Sequence, residues 1–114
     1  MLKNALVRLR HILDAAREAI AFCHGRARDD LDTNRMLSLS LIRLLEIIGE
    51  AARDVSAASR AGLPHIAWKN MAGMRDRLIH GYFEVDLDIV WETVTKDLPP
   101  LVAQLEAIVA EGTK

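Results

Sequence analysis

Arg75, His80 and Tyr82 stand within the octapeptide Arg-Asp-Arg-Leu-Ile-His-Gly-Tyr at residues 75–82, spaced as R-x4-H-x-Y. A permanent cation, a group that exchanges protons near neutral pH and a phenol are thereby set close together. Such a set can handle a phosphodiester without a metal. The arginine presents a planar fork of donors to phosphate oxygens. The histidine can take a proton from one oxygen and give one to another at physiological pH.

On RNA the chemistry is economical. Histidine removes the proton of a 2′-hydroxyl, which attacks the adjacent phosphorus, while arginine holds the non-bridging oxygens as charge builds. A second acid protonates the leaving 5′-oxygen. General acid–base help of this kind is worth roughly 10²–10⁴ in rate, and the need for a 2′-hydroxyl selects RNA over DNA.

Spacing alone leaves alternatives open. An arginine and a histidine in the last turn of a helix are also ordinary partners for its unpaired carbonyls, and Tyr82 reads equally as a half-buried ring with a wet hydroxyl. Five residues of α-helix turn through roughly 500°, which leaves Arg75 and His80 about 140° apart on ideal geometry. Two arrangements bring them together. The helix can end by His80, or the site can form where two copies meet, since a two-fold contact presents the same patch twice. The dimer is the preferred reading, because two histidines supply base and acid at once. Asp76 is placed to orient Arg75 or His80, Arg77 to reach backbone phosphate or water. Arg43, Glu46, Glu50 and Arg53 form one polar stripe on the second helix, explained by pairing within that helix or by Glu50 reaching across to fix Arg75.

The elements that must position these residues are helical. Leu6, Leu9, Ile12, Leu13, Ala16, Ala19, Ile20 and Cys23 recur at three- and four-residue spacing, predicting a first helix over 3–24 with Gly25 as its stop. A polar loop, 26–32, leads to Asp32 or Thr33 as the cap of a second helix. That helix runs to about Ser56, with Leu37, Leu41, Leu44, Leu45, Ile48, Ala52 and Val55 facing inward. After a connector at 57–65, a third helix is expected from Ile66 to Gly81, with Trp68 as a core anchor. Asp86 or Asp88 opens a fourth, whose Trp91 is a second anchor, and which kinks or splits at Pro99-Pro100. No stretch alternates at period two long enough to predict a sheet. The expected fold is all-α, an up-and-down bundle of four long helices in a single domain spanning 1–114.

Composition agrees with that fold and excludes several classes. The chain of 114 residues is 51% hydrophobic but only 4% aromatic, so its core is aliphatic. A net charge of −1 argues against affinity built on bulk positive charge. Charge is nevertheless segregated. Residues 1–28 carry six basic against two acidic side chains, a balance of +4, and residues 84–98 carry one against five, a balance of −4. Cys23 is the one cysteine, which rules out an intrachain disulfide and suits a small buried residue. His11, His24 and His65 share no spacing suited to a metal, so neither metal nor cofactor is assigned. With no secretory signal pattern and no apolar run of spanning length, a cytoplasmic protein is expected.

The blocks Leu45-Glu46-Ile47-Ile48-Gly49-Glu50-Ala51-Ala52, Pro64-His65-Ile66-Ala67-Trp68, Met74 to Phe83, Val90-Trp91 and Leu98-Pro99 together resemble the HepT family of HEPN-domain toxins. The likeness covers nearly the whole chain. It implies a helical homodimer that cleaves RNA without metal, with Arg75 and His80 as the catalytic pair. It also implies a role as the toxin of a toxin–antitoxin module. The antitoxin partner would be a minimal nucleotidyltransferase that transfers AMP onto Tyr82, placing bulk and negative charge beside Arg75. Asp76 stands where the family often has asparagine. A different class of function, a non-catalytic subunit presenting Tyr82 and the basic first helix to a nucleotidyltransferase, fits the same residues.

Overall fold

A computed structural model describes residues 3–80 and 84–112, with the backbone alone described at Lys3, Ile79 and His80. Its frame is three long helical arms. The first, α1 (Lys3–Cys23), follows the expected apolar periodicity and stops where Gly25 adopts a φ of 73°, a left-handed conformation that glycine enters at no steric cost. The polar stretch after it is not all loop, since Asp30–Thr33 forms a single turn, α2, that seats buried Leu31.

The second arm is α3 (Arg35–Arg53). Its cap is Asn34 rather than Asp32 or Thr33. The Asn34 side-chain oxygen accepts from the Leu37 N–H at 3.0 Å, because the extra turn of α2 moves the entry point downstream. The predicted inward residues Leu37, Leu41, Leu44, Leu45, Ile48, Ala52 and Val55 are all buried. A short α4 (Ala57–Ala61) follows, capped by Ser56.

The third predicted helix is not one helix. It divides into α5 (Trp68–Ala72) and α6 (Met74–Leu78), broken at Gly73. The chain then leaves helical geometry, and β1 (Ile79–His80) pairs antiparallel with β2 (Glu84–Val85), Ile79 opposite Val85 and His80 opposite Glu84. The Asp86 N–H extends this ladder to the Leu78 carbonyl at 2.7 Å. His80 therefore lies two residues beyond the end of the motif helix and not within it.

The last arm opens on Asp86, whose carboxylate accepts from the Ile89 N–H at 3.1 Å, and runs as α7 (Leu87–Glu92), a π-helical turn over Thr93–Asp97, and α8 (Leu98–Gly112). It neither splits nor ends at Pro99-Pro100. In α geometry the two proline rings would press on the carbonyls of Thr95 and Lys96. The wider turn relieves that clash and lets the helix continue. Leu9, Ile12, Leu41, Leu45, Ile48, Leu78, Val90, Leu98 and Leu105 make the centre of one aliphatic core where the arms meet.

The two charged segments touch. The Arg28 guanidinium donates from Nε to Asp88 at 2.6 Å and from Nη1 to Asp32 at 3.2 Å. The hydrogen bond to Asp88, followed by that to Asp32, holds the Arg28 pKa above its ordinary value. Arg17 reaches Glu106 at 3.3 Å. Cys23 is buried, and burial pushes its thiol pKa up, since the thiolate would lose its hydration. No helix among the described residues is long and apolar enough to cross a membrane.

Candidate active site

Gly49 decides where the motif sits. A Cβ built there would lie 3.2 Å from the Met71 carbonyl oxygen, so α5 rests backbone against backbone on α3. A side chain at 49 would hold the two helices apart. With α5 seated this closely, and with Trp68 fixed by donation of its indole N–H to the Leu63 carbonyl at 3.0 Å, α6 follows directly alongside α3. Met74 and Leu78, four residues apart, are the buried anchors of α6. Arg75, Asp76 and Arg77 are thereby left on its exposed side.

The polar stripe of α3 faces this helix. Arg75 Nε lies 3.4 Å from Glu46 Oε2, and the Glu46 side chain is only 23% exposed against 55% for Arg75. A half-sheltered carboxylate therefore aims an accessible guanidinium, and only part of its donor fork is used. Arg53 lies 3.7 Å from Asp76, an exposed pair.

Of the two readings of Glu50, pairing within its helix or fixing Arg75, the structure has the first, with Glu50 lying 3.7 Å from Arg43. The reason is directional. Side chains on a helix lean toward its N-terminus, so Glu50 tilts back along α3 toward Arg43. The close seating at Gly49 presents α6 one turn earlier, to Glu46. Pairing within α3 thus accounts for half the stripe, and the other half spans two elements. Asp76 likewise turns to Arg53 and not to Arg75.

Arg77 points to another part of the surface, where it lines a concavity with His65, Asn70, Lys96 and Gln104. His80 is fixed by its backbone in β1, opposite Glu84. Its side chain and all of Tyr82 lie outside the described residues. Among those that are described, no group of three His, Cys, Asp or Glu side chains could hold a metal ion.

The arrangement can do one thing plainly. An exposed, pre-aimed guanidinium lies on a five-residue helix, and the chain leaves that helix just before the histidine. This is the geometry in which the ideal-helix separation between Arg75 and His80 no longer applies. Sequence reading missed Glu46 as the partner of Arg75, although the spacing of Glu46, Gly49 and Arg53 carried the signal. A glycine flanked by charges on one helix face marks the place where another backbone comes close.

The chain is similar to known proteins along most of its length. The family described as "Ribonuclease HepT-like" matches residues 12–108. A Methanocaldococcus jannaschii protein named "Gamma-glutamylcyclotransferase and putative RNase" is 39% identical over all of this chain, which spans 51% of that longer protein. A "Putative RNase" of Caldanaerobacter subterraneus subsp. tengcongensis is 39% identical over 88% of this chain and 89% of its own length. A "Probable ribonuclease HepT" of Thermococcus cleftensis is 40% identical over 70% of this chain and 73% of its own. No solved structure matches the chain.

Proposed function

The chain belongs to the HepT-like ribonuclease family, and on that premise we propose that it is a metal-independent RNA endonuclease with Arg75 and His80 as its catalytic pair. The observation that carries this reading is Arg75 itself, accessible to a phosphate yet aimed by Glu46 at 3.4 Å. His80 takes the proton of a 2′-hydroxyl. The 2′-oxygen then bonds to the adjacent phosphorus and the bond to the 5′-oxygen breaks. Arg75 holds the non-bridging oxygens, where charge grows, with bidentate donors. The leaving 5′-oxygen receives its proton from the His80 of a second copy, so both proton transfers are served in one event.

A homodimer supports that division of labour. On the outer face of α3, Met36 is 81% and Leu39 50% exposed. Met36, Leu39, Arg43, Glu46, Glu50 and Arg53 follow one another at alternating steps of three and four, the spacing of a helix seam. A second copy seated there as a bundle partner would cover the apolar end of the stripe and draw two Arg75 side chains toward one groove.

In the cell this enzyme acts in the cytoplasm as the toxin of a toxin–antitoxin module. It is silenced when a minimal nucleotidyltransferase transfers AMP to Tyr82, which adds negative charge next to the phosphate site. Purified protein incubated with RNA in EDTA is the test. Wild type is expected to cleave, and Arg75→Ala and His80→Ala to lose cleavage while remaining dimeric. Equal cleavage by all three would reject the assignment. A wild type inert on RNA that still binds the nucleotidyltransferase stably would instead identify a non-catalytic subunit. Intact mass after co-expression with that enzyme and ATP should rise by whole AMP increments, mapping to Tyr82.

A further inference from the structure

The face of α3 that offers Glu46 to Arg75 continues to Arg53, and beyond Arg53 the surface opens into a shallow concavity of about 700 Å³. Arg53, Arg60 and Lys69 line it together with Ala57, Ala61, Ala72 and the edge of Trp68. Three cations in one depression contrast with a whole-chain charge of −1, and no described carboxylate lines the depression. Arg53 belongs both to this lining and, through Asp76 at 3.7 Å, to the motif helix, so the concavity and Arg75 share one continuous surface.

Arg60 is fixed in place. Its Nη2 donates to the Ala52 carbonyl at 2.6 Å, its Nε to the Val55 carbonyl at 3.1 Å, and its guanidinium lies 5.8 Å from the centre of the Trp68 ring. Two donors are spent on carbonyls in the last turn of α3 and just past it, and the remaining guanidinium N–H groups can reach an anion. Lys69 is exposed and has no ion-pair partner among the described residues.

We propose that this concavity holds the sugar–phosphate backbone of an RNA strand whose scissile phosphate lies at Arg75, gripping the phosphates next to it. The inference rests on the ribonuclease reading and extends it to a substrate track. The shape favours backbone over base. A base needs an open aromatic face or a deep slot, whereas Trp68 is only 8% exposed. Small side chains in the lining let a backbone approach, and the cations beside them hold phosphates without reading sequence. Affinity then comes from a local charge arrangement, which answers the near-neutral composition.

The test is equilibrium binding of a fluorescein-labelled ten-nucleotide oligouridylate to the full chain carrying Arg75→Ala, which removes cleavage, over a range of salt. Each phosphate contact on a single strand contributes about 0.7 to the slope of log affinity against log salt. Lys69→Gln should lower the slope by about 0.7 and Lys69→Gln with Arg53→Gln by about 1.4, with at least a fivefold loss of affinity in the double variant. Lys96→Gln, the same charge change outside the concavity, should leave the slope alone. Three results would overturn the track: no binding at low salt, an unchanged slope in the double variant, or an equal fall in Lys96→Gln. Competition by AMP as effective as the decamer would identify an isolated anion site, and equal binding of decaglutamate an acidic protein surface, either one replacing the RNA assignment. A wild-type protein that binds with this slope but cleaves nothing refutes the nuclease reading alone. One that cleaves while its slope ignores Lys69 refutes the track alone.

Discussion

The three long arms and the motif arm are built by different rules. α1, α3 and α8 are 21, 19 and 15 residues long, each laying an apolar stripe on the shared core. The described residues between Trp68 and Val85 form pieces no longer than five residues, pinned by a glycine contact and buried Met71, Met74 and Leu78. Ion pairs to α3, one of them half-sheltered, then aim what this segment carries. The lesson is a division between holding and aiming. Stability resides in the arms, where a residue matters by its volume. The proposed chemistry belongs to the short arm, where a residue matters by its direction.

Breaking this division should be easiest in the core. Leu45→Ala removes a fully buried side chain of α3 and should cost about 2–5 kcal/mol of stability, read as a fall in the denaturant midpoint. Arg75→Ala should leave the unfolding free energy within about 0.5 kcal/mol of wild type while ending cleavage. If the two variants lost stability alike, the contrast between arms would collapse.

Gly49→Val tests the junction between the regions. Overpacking where α5 touches α3 should cost about 1–3 kcal/mol and also lift α6 away from Glu46, so that cleavage falls more than stability does. A milder probe is Glu46→Gln, which removes the charge that aims Arg75. With the pair partly exposed, an effect of about 1 kcal/mol is expected, roughly a fivefold drop in kcat/KM, and Glu46→Asp should recover part of it. Glu50→Gln should change little, because that carboxylate serves Arg43. The reverse order of the two effects would restore Glu50 as the positioning residue.

The smallest effect sits in the first arm. The Cys23 thiol pKa is raised in the folded chain above its ordinary value of 9.0, so the folded state favours the neutral thiol. Its contribution to stability is complete below that ordinary value and is lost as pH climbs through the raised one. Native protein at pH 8 should therefore resist a thiol-reactive dye that labels the denatured chain at once. Equal labelling rates would show that the end of α1 is open.

Sequence reached the arms well, for a reason. Long helices repeat their burial pattern over several turns, so Leu9, Ile12, Leu41, Leu45 and Ile48 identify themselves, and Gly25 and Asp86 mark ends by chemistry local to them. It failed where elements are too short to repeat. A helix of five residues and a ladder of two by two carry no periodicity, so Trp68 to His80 read as one helix although Gly73 divides it. The sequence predicts a kink or a split at Pro99-Pro100 and not the widened turn before it, because proline rules describe what α geometry forbids and not which detour the chain takes. The exposure of Arg75 on a short helix suits the phosphate contact proposed for its residue type. Its partner was not legible, because choosing Glu46 over Glu50 requires knowing how closely α5 approaches Gly49.

The most direct measurement concerns the ends of the cleaved RNA. Fragments made by wild-type protein in EDTA should carry a 2′,3′-cyclic phosphate on one side and a 5′-hydroxyl on the other, as seen by mass spectrometry. A single 2′-deoxy nucleotide at the scissile position should block cleavage there. Fragments with a 5′-phosphate, or undiminished cleavage at the deoxy position, would contradict attack by the 2′-oxygen and the roles assigned to Arg75 and His80.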